Sequence, residues 1–275
     1  MTNTVAIQGI KGSFHYEVAQ DYYHNDIVVD ECLSFDKLVD SLLDGRSHQA
    51  VMAIENSIAG SIIPNYALID KYQLHIIGEY YLNINHNLLA LKGQQIADIK
   101  EVCSHPMALL QCKEFFKIHP HIKLVEDADT AEVALRIKTY NLKGIAAIAG
   151  KGAANLYDLD ILAPSIQTIQ DNSTRFVIVQ TSNSVISKNQ INKASLKFMT
   201  DHKRGSLATV LNVMSDCRLN LTKIQSLPVI ETPWKYAFFV DITFDDYEDY
   251  DKAKNILKLM TYDFKVLGEY KNARS

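Results

Sequence analysis

The residues best suited to chemistry stand in short polar clusters, and most of these clusters follow an apolar segment. The clusters lie at residues 9–14, 55–57, 104–106, 129–130 and 172–175. They supply hydroxyls, side-chain amides, one arginine and the starts of helices, and they contain few strong bases. Helix N-termini and an arginine fork both bind carboxylates well. This inventory predicts a site for a small anion that is rich in carboxylate groups.

Metal and nucleotide chemistry is not indicated. The histidines have neither HxxxH nor HExxH spacing, which zinc-binding helices use. Gly9 and Gly12 do not form GxGxxG, GxxxxGK[ST] is absent, and GKGAAN (150–155) is typical of a helix start. The sequence therefore predicts a site that binds neither a metal nor a nucleotide.

Each cluster taken alone also has a structural explanation. Ser104 and Asp129 suit helix N-caps, His105 suits a hydrogen-bonded structural histidine, and Arg175 suits a buried ion-pair partner. A ligand site is favoured because several clusters share one kind of location. In parallel α/β sheets, ligands bind outside the carboxyl ends of strands, where helix N-termini also point.

The first part of the chain alternates strand and helix signals. Strands are predicted at 5–9, 27–29, 50–56, twice within 74–91, at 101–103, 123–127, 144–150 and 176–179. Helices are predicted over 35–43 with Ser34 as N-cap, from Ser104 onwards, and over 129–140. This alternation indicates βαβ units and a mostly parallel sheet. The cluster 172–175 precedes its strand, so we expect it to enter the crevice from a crossing segment.

The pattern changes after residues 181–195, which are polar, lack amphipathic periodicity and predict a linker. Strand and helix signals then follow in the order βαββαβ, which is the ferredoxin-like arrangement. A unit of roughly 80 residues has a small core and commonly pairs with a copy of itself.

Composition excludes several partners. The chain has 275 residues, a net charge of -4 and a pI of about 6.1. It has no basic run, so nucleic acid and anionic membranes are not expected to bind. The four cysteines form no CxxC pair and lie in apolar segments, which predicts reduced core residues in a cytoplasmic protein. The sequence also predicts no signal peptide and no membrane span.

Six motifs in this order resemble those of the prephenate dehydratases. They are GIKGSF (9–14), IENSIAGSI (54–62), SHPMALLQC (104–112), DTAEVAL (129–135), GIAAIAGKGAANLY (144–157) and NSTRF (172–176). GSLATVL (205–211) and NLTKIQSLP (220–228) resemble the ACT regulatory domain that follows in that family. The resemblance implies a catalytic domain over 1–182, with two α/β lobes around a cleft as in periplasmic binding proteins. It also implies an ACT domain over 194–275, a homodimer or homotetramer, and no cofactor.

The same resemblance implies a role for individual residues. Thr174 matches the family threonine that lies near the leaving hydroxyl, and Arg175 matches the arginine that pins a carboxylate or braces the loop. The other implied contacts to prephenate are Ser13, Asn56, Ser57, Ser104 and Thr130. The implied site for L-phenylalanine comprises Gly205, Ser206, Leu207, Ala208, Asn220, Leu221 and Ser226.

The chain departs from the family pattern at a few positions. Ile10 stands where the family usually has Pro, and Ser13 stands where it has Thr. The family's ESRP reads Gln225-Ser226-Leu227-Pro228, so two charged residues are missing from the regulatory motif. Two other functions stay open: an arogenate dehydratase, which acts on the amino analogue, and a non-catalytic anion-binding protein linked to an ACT domain.

Overall fold

A computed structural model describes residues 3–24, 26–182, 187–229, 232 and 234–274. The chain forms two compact units. The first unit comprises Met1–Gly60 with Tyr81–Phe176, and the second comprises Ser61–Tyr80 with Val177–Ser275. Four residues of the predicted linker, 183–186, lie outside the described residues.

The first lobe of the first unit is built on three parallel strands in the order β3-β1-β2. Its elements are β1 (Asn3–Gln8), α1 (Phe14–Tyr23), β2 (Ile27–Cys32), α2 (Phe35–Leu43) and β3 (Gln49–Asn56). Ser34 caps α2 as predicted, because its hydroxyl accepts from the Lys37 N–H at 3.2 Å. All three strands run in one direction, so the turns that follow β1 and β3 emerge at the same edge of the sheet.

The second lobe of the first unit is built on a mixed sheet in the order β10-β6-β9-β7-β8. Its strands are β6 (Asn87–Ala90), β7 (Glu101–Ser104), β8 (Lys123–Glu126), β9 (Ile145–Ala149) and β10 (Asp160–Ala163). Its helices are α4 (Pro106–Gln111), α5 (Lys113–Lys117), α6 (Thr130–Thr139) and α7 (Lys151–Leu156). Leu88 and Leu89, which are consecutive, pack into different core clusters, so both faces of this sheet are covered.

The second unit carries the βαββαβ order that the sequence predicts. It contains β12 (Lys193–Met199), α8 (Ser206–Asp216), β13 (Asn220–Pro228), β14 (Tyr236–Thr243), α9 (Tyr247–Met260) and β15 (Tyr262–Tyr270). The strand order is β13-β14-β12-β15. The helices pack on this sheet through a core that includes Val210, Met214, Tyr250 and Leu257.

Residues 61–80 add a helix and a strand to the second unit. They contain α3 (Ile63–Lys71) and most of β5 (His75–Asn83), and β5 pairs with β15 at Ile76 and Gly268. A Cβ on Gly268 would lie 2.2 Å from the Ile76 carbonyl oxygen, so only glycine permits this approach. The strands β4 (Gly60–Ser61) and β11 (Ser173–Gln180) run from one unit into the other along the chain.

Several sequence predictions are corrected by the structure. Thr174 and Arg175 do not precede their strand, because β11 begins at Ser173. The N-cap of α4 is His105, whose side chain accepts from the Met107 N–H, whereas Ser104 is the last residue of β7.

The sheets and helices also differ from the prediction in part. The second lobe has two antiparallel pairings, β10 with β6 and β6 with β9, so its sheet is mixed rather than mostly parallel. The sequence signals did not reveal α1, α3 and β10. No helix among the described residues is long and apolar enough to cross a membrane.

A buried ion pair fastens β5 to β12. Lys193 Nζ lies 2.9 Å and 2.8 Å from the two carboxylate oxygens of Glu79, and the side chains are 4% and 0% exposed. The Ala273 N–H also donates to Glu79 at 3.1 Å. A charge buried this deeply is tolerated only while its partner is present.

Lys193→Met is therefore expected to destabilise the protein by about 3–5 kcal/mol, because it removes the ammonium group that lies against both oxygens of the buried Glu79 carboxylate. The double variant Lys193→Met/Glu79→Leu is expected to recover part of this loss, since the buried carboxylate is removed together with the lysine. Urea unfolding followed by circular dichroism measures both.

The exposed pair of Lys92 with Asp158 provides the matched control, because each of its side chains is 59% exposed. Lys92→Met is expected to change the unfolding midpoint very little. A double variant as unstable as Lys193→Met alone would contradict the assigned cause.

Candidate active site

The end of β3 meets the start of β11 through the side chain of Asn56. Its Nδ2 donates to Asn172 Oδ1 at 2.7 Å and to Thr174 Oγ1 at 2.9 Å. Both partners are buried, with 1% and 8% of their surface exposed. One amide therefore holds two residues that the NSTRF motif contributes.

The orientation of the Asn56 amide follows from its backbone neighbours. The N–H groups of Ile58 and Ala59 point to Asn56 Oδ1, at 3.0 Å and 2.8 Å. A backbone N–H only donates, so the atom that it meets must be the amide oxygen. The other atom, Nδ2, is then the donor towards Asn172 and Thr174.

The same logic extends along the amide chain, which we define as Asn56, Asn172 and Gln111. Asn172 Oδ1 accepts from Asn56, so Asn172 Nδ2 is a donor, and it meets Gln111 Oε1 at 3.0 Å. Gln111 Oε1 in turn lies 2.9 Å from His86 Nε2. Gln111 ends α4 and His86 directly precedes β6, so the amide chain runs from the first lobe to the second.

Thr174 receives a defined polarity from this arrangement. Its oxygen accepts from Asn56, so its own hydroxyl proton is directed elsewhere. The hydroxyl can therefore donate to a ligand. Thr174 and Asn56 are predicted site residues that the structure brings into direct contact.

Gln111, Asn172 and His86 complete the cluster. Asn172 lies in the polar cluster 172–175 but has no role assigned from the sequence, and Gln111 and His86 lie outside the polar clusters. Asn172 and Gln111 do lie inside the motifs NSTRF and SHPMALLQC. His86 has only a weak sequence signal, since it interrupts an apolar stretch as Asn85-His86-Asn87. Their importance rests on contacts between residues 25 to 116 positions apart.

The turn after β1 lies against the second lobe and needs two glycines. Gly9 has φ +85° and Gly12 has φ +89°, the left-handed region that favours glycine. A Cβ on Gly9 would lie 3.0 Å from Asp129 Oδ2, and one on Gly12 would lie 3.2 Å from Ala153 Cα. The turn therefore brings the N-termini of α1 and α6 towards each other.

The predicted site residues Ser13 and Thr130 lie at those two helix starts. Ser13 is buried and caps α1, with its Oγ accepting from the Tyr16 N–H at 3.2 Å. Thr130 is the first residue of α6, which Asp129 caps through the N–H groups of Ala131 and Glu132. Asp129 is therefore an N-cap, as the sequence predicts.

Ser57 and Ser104 have their hydroxyls engaged by the protein. Ser57 Oγ accepts from the Ser173 N–H at 3.0 Å and lies 3.4 Å from the Asp171 carbonyl. Ser104 is 0% exposed and donates to the Ile148 carbonyl at 2.7 Å, which fastens β7 to β9. Both residues organise the strands, and their contacts to a substrate stay predictions.

Arg175 follows Thr174 in β11 and is 5% exposed. Neighbouring residues of a strand point to opposite faces, so its side chain leaves the strand on the face opposite to Thr174. It already has an interaction partner in the protein. A brace for the strand fits this position better than a direct contact beside the Thr174 hydroxyl.

His15 connects α1 to β3 and β11. Its Nε2 accepts from the Ala53 N–H at 3.3 Å, and its ring packs edge-on against Phe176 with 5.0 Å between centroids. Burial lowers the pKa of His15 to about 3. The ring is therefore neutral at physiological pH, which its acceptor role at Nε2 requires.

The comparisons with known proteins identify the family. The family model for prephenate dehydratase matches residues 5–184. The chain belongs to the prephenate dehydratase family. The match covers both lobes and ends shortly after β11, so every residue of the amide chain lies within it.

Two relatives align over almost the whole chain. The bifunctional chorismate mutase/prephenate dehydratase of Buchnera aphidicola subsp. Acyrthosiphon pisum is 33% identical over 95% of this chain and 69% of its own length. The Arabidopsis thaliana protein named arogenate dehydratase/prephenate dehydratase 2 is 35% identical over 97% of this chain and 72% of its own length. The similarity to members of this lyase family therefore continues beyond residue 184 into the C-terminal part of the chain.

A solved structure supports the fold. The prephenate dehydratase of Arthrobacter aurescens, crystallised in complex with L-Phe, covers 98% of this chain and 90% of its own at a TM-score of 0.87. The sequences are 24% identical, so this likeness concerns the fold alone. It confirms the predicted class, a two-lobed α/β domain followed by a ferredoxin-like domain.

The pKa of His15 predicts a pH dependence of stability. Its folded pKa is about 3, and its unfolded pKa is about 6.5. The unfolded state therefore binds more protons between these values, and stability is lost as the pH falls below about 6.5. The loss reaches at most about 1.4 kcal/mol per pH unit.

His15→Gln supplies an oxygen acceptor for Ala53 that does not titrate. Between pH 6 and pH 4, the variant is expected to lose less stability than the wild type, while the carboxylates of both proteins titrate alike. Thermal melts across this range measure the difference. Parallel curves for the two proteins would contradict a buried neutral His15.

Proposed function

We propose that this protein catalyses the decarboxylating dehydration of prephenate to phenylpyruvate. The observation that carries the proposal is the hydroxyl of Thr174, which is oriented as a donor by Asn56 within a family match over residues 5–184. The reaction breaks the C–O bond of the ring hydroxyl and the C–C bond to the ring carboxylate. The electron pair from the lost CO₂ completes the aromatic ring, so neither an oxidant nor a cofactor takes part.

The chemical role of Thr174 is to stabilise the hydroxyl of the ring as it leaves as hydroxide, which then takes up a proton from the solvent. Threonine is a very weak acid, so it acts as a positioned donor that strengthens its hydrogen bond as negative charge develops on the leaving oxygen. Asn56 holds the threonine oxygen at 2.9 Å and so limits its rotation. The free energy of this contact is gained mainly in the transition state, where catalysis requires it.

The carboxylates of prephenate are bound by neutral donors in this proposal. The helix starts at Ser13 and Thr130 offer backbone N–H groups and hydroxyls, and the amide nitrogen of Gln111 offers further hydrogens. Asn56, Ser57 and Ser104 are assigned as supporting contacts. A site with neutral donors solvates the departing ring carboxylate less well than water, which favours its loss as CO₂.

Arogenate is the competing substrate, because one relative carries arogenate dehydratase in its name. The two substrates differ only in a keto or an amino group on the side chain. Purified protein is incubated with each compound, and the aromatic product is followed. We expect turnover of prephenate, and a strong preference for arogenate would overturn the substrate assignment. Absence of product from both would indicate a non-catalytic anion-binding protein.

Thr174→Ala is expected to lower kcat by about 10²–10³, the typical cost of losing one donor to a developing oxyanion. Thr174→Ser is expected to keep most of the activity, since it keeps the hydroxyl that Asn56 orients. Steady-state kinetics with prephenate measure both variants, and melting curves check that they are folded.

Thr222→Ala is a matched control, because Thr222 also lies in a strand and its hydroxyl donates to a backbone carbonyl, that of Asp241, at 3.1 Å. Its kcat is expected to equal that of the wild type. A Thr174→Ala enzyme with near-normal kcat would remove Thr174 from the mechanism.

We further propose that residues 194–275 are an ACT domain that senses L-phenylalanine, and that residues 1–182 are the catalytic domain of a cytoplasmic homodimer or homotetramer. The Arthrobacter aurescens enzyme was crystallised with L-Phe. In this chain, Gly205 precedes α8 at φ +82°, and no atom lies within 4 Å of where its Cβ would be. The Ser206 N–H is bonded to the Lys203 carbonyl at 3.3 Å, so the following N–H groups, those of Leu207 and Ala208, are the ones proposed to meet the carboxylate of an amino acid.

The remaining residues assigned to this site lie on α8 and on β13. They are Ser206, Leu207, Ala208, Asn220, Leu221 and Ser226. Asn220 and Ser226 are exposed on β13 and offer polar contacts, while Leu207 and Leu221 are partly buried against the core. The loss of two family charges at Gln225 and Leu227 leaves these features in place, so the proposal keeps L-phenylalanine as the effector.

Gly205→Ala is expected to weaken L-phenylalanine binding by at least about tenfold, because a Cβ at φ +82° strains the backbone that precedes α8, and a shift of this helix start that breaks one hydrogen bond to a charged group costs about 1.5–3 kcal/mol. Isothermal titration calorimetry measures binding, and inhibition of turnover measures its effect. Gly93→Ala is the control, since Gly93 has φ +80° and equally open surroundings. Equal binding by both variants, or no heat with the wild type at millimolar effector, would overturn the sensor assignment.

A further inference from the structure

His86 is held in one place by its backbone and by its ring. Its N–H donates to Gln167 Oε1 at 2.9 Å, and its carbonyl accepts from the Ile166 N–H at 2.8 Å. The ring meets Phe14 edge-on with 5.8 Å between centroids. The residue is 4% exposed. A histidine, which is usually at least partly hydrated, is therefore buried beside the amide chain.

The tautomer of His86 follows from the amide chain. Gln111 Oε1 already accepts from Asn172 Nδ2, and an amide oxygen only accepts. The nitrogen that lies 2.9 Å from this oxygen, His86 Nε2, must therefore carry a proton. Burial lowers the pKa of His86, and His105 lowers it further, against the opposing effect of the Gln111 hydrogen bond. The ring is thus neutral, with its lone pair on Nδ1.

The lone pair at Nδ1 has no hydrogen-bond partner within the described part of the chain. A histidine with a purely structural role would gain stability from satisfying both ring nitrogens. His86 instead uses only the nitrogen that faces Gln111. Among the described residues, the polar contact of the ring is directed at Gln111 and not at the surrounding core.

Gln111 is oriented by two donors on the same oxygen. Asn172 and His86 both donate to Oε1, so rotation of the amide by half a turn would place a nitrogen against two donors. The amide nitrogen of Gln111 therefore points away from Asn172 and His86. Gln111 is partly exposed, and its two N–H groups are available to a ligand.

We propose that His86 is a positioning residue for the reaction: it fixes the amide of Gln111 so that the nitrogen presents its hydrogens to the substrate. This inference rests on the proposed function. The ligand group is an oxygen acceptor of the substrate, a carboxylate or a carbonyl. His86 itself neither touches the substrate nor transfers a proton.

Steady-state kinetics with His86→Phe and His86→Gln test the donor. The phenylalanine ring keeps the shape and removes the donor, and we expect kcat/KM to fall about tenfold, the equivalent of one lost hydrogen bond. Glutamine places an amide nitrogen near the position of Nε2, and we expect activity within about threefold of the wild type. A folded His86→Gln enzyme as impaired as His86→Phe would overturn the proposal.

A double-mutant cycle with Gln111→Ala separates positioning from general support of the fold. If His86 acts through Gln111, His86→Phe costs little further activity once Gln111 is alanine. If the two losses multiply, His86 acts independently and the proposal is wrong. Melting curves of all four proteins establish whether stability follows a different pattern from kcat/KM.

The tautomer gives a readout that does not depend on turnover. Nitrogen-15 NMR of histidine-labelled protein, with His86→Gln used to assign the signal, is expected to show a neutral ring protonated at Nε2. A ring protonated at Nδ1 would overturn the proposal even if the enzyme were active. An inactive wild type with the expected tautomer would instead reject the proposed function and retain the arrangement of His86 and Gln111.

Discussion

The two backbone N–H groups that point at Asn56 Oδ1 determine the polarity of the whole site. They belong to the turn after β3 and lie 3.0 Å and 2.8 Å from the oxygen. Because these groups only donate, the orientation of Asn56 is determined, and that of Asn172 and Gln111 follows in turn. The turn after β3 therefore determines which atoms of the amide chain are donors. It also leaves the hydroxyl of Thr174 able to donate a hydrogen bond.

Such a chain also constrains the fold around it. Amide groups that are buried without partners cost about 1–3 kcal/mol each, so the segments that carry them must be held in register. Two crossing segments do this: the Ile84 N–H donates to the Asn172 carbonyl at 2.7 Å, and Gln167 holds the backbone of His86. The mixed sheet of the second lobe then supplies a rigid support for Gln111 at the end of α4.

In the second unit, ion pairs connect segments that are distant in the chain, as the side-chain amides do in the first unit. Lys197 on β12 contacts Asp70 of α3 at 2.7 Å, and Lys265 of β15 contacts the same carboxylate at 2.6 Å. These partners lower the pKa of Asp70 although burial opposes them. Lys223 of β13 donates to Ser61 at 2.9 Å, four positions after Ser57 in the chain. The strand proposed to sense an effector is thus bonded to the segment that directly continues the loop after Asn56.

The sequence by itself determined the features that depend on nearby residues. Ser34 and Asp129 were predictable as N-caps because a cap bonds within three residues, and the βαββαβ order follows from periodicity along each element. The family motifs identified Asn56 and Thr174 as site residues. Only the tertiary structure decided that Thr174 lies inside β11, that His105 rather than Ser104 caps α4, and that His86, Gln111 and Asn172 are linked by hydrogen bonds. The reason is physical: these outcomes depend on hydrogen bonds between segments far apart in the chain, and local spacing carries no information about which amide meets which partner.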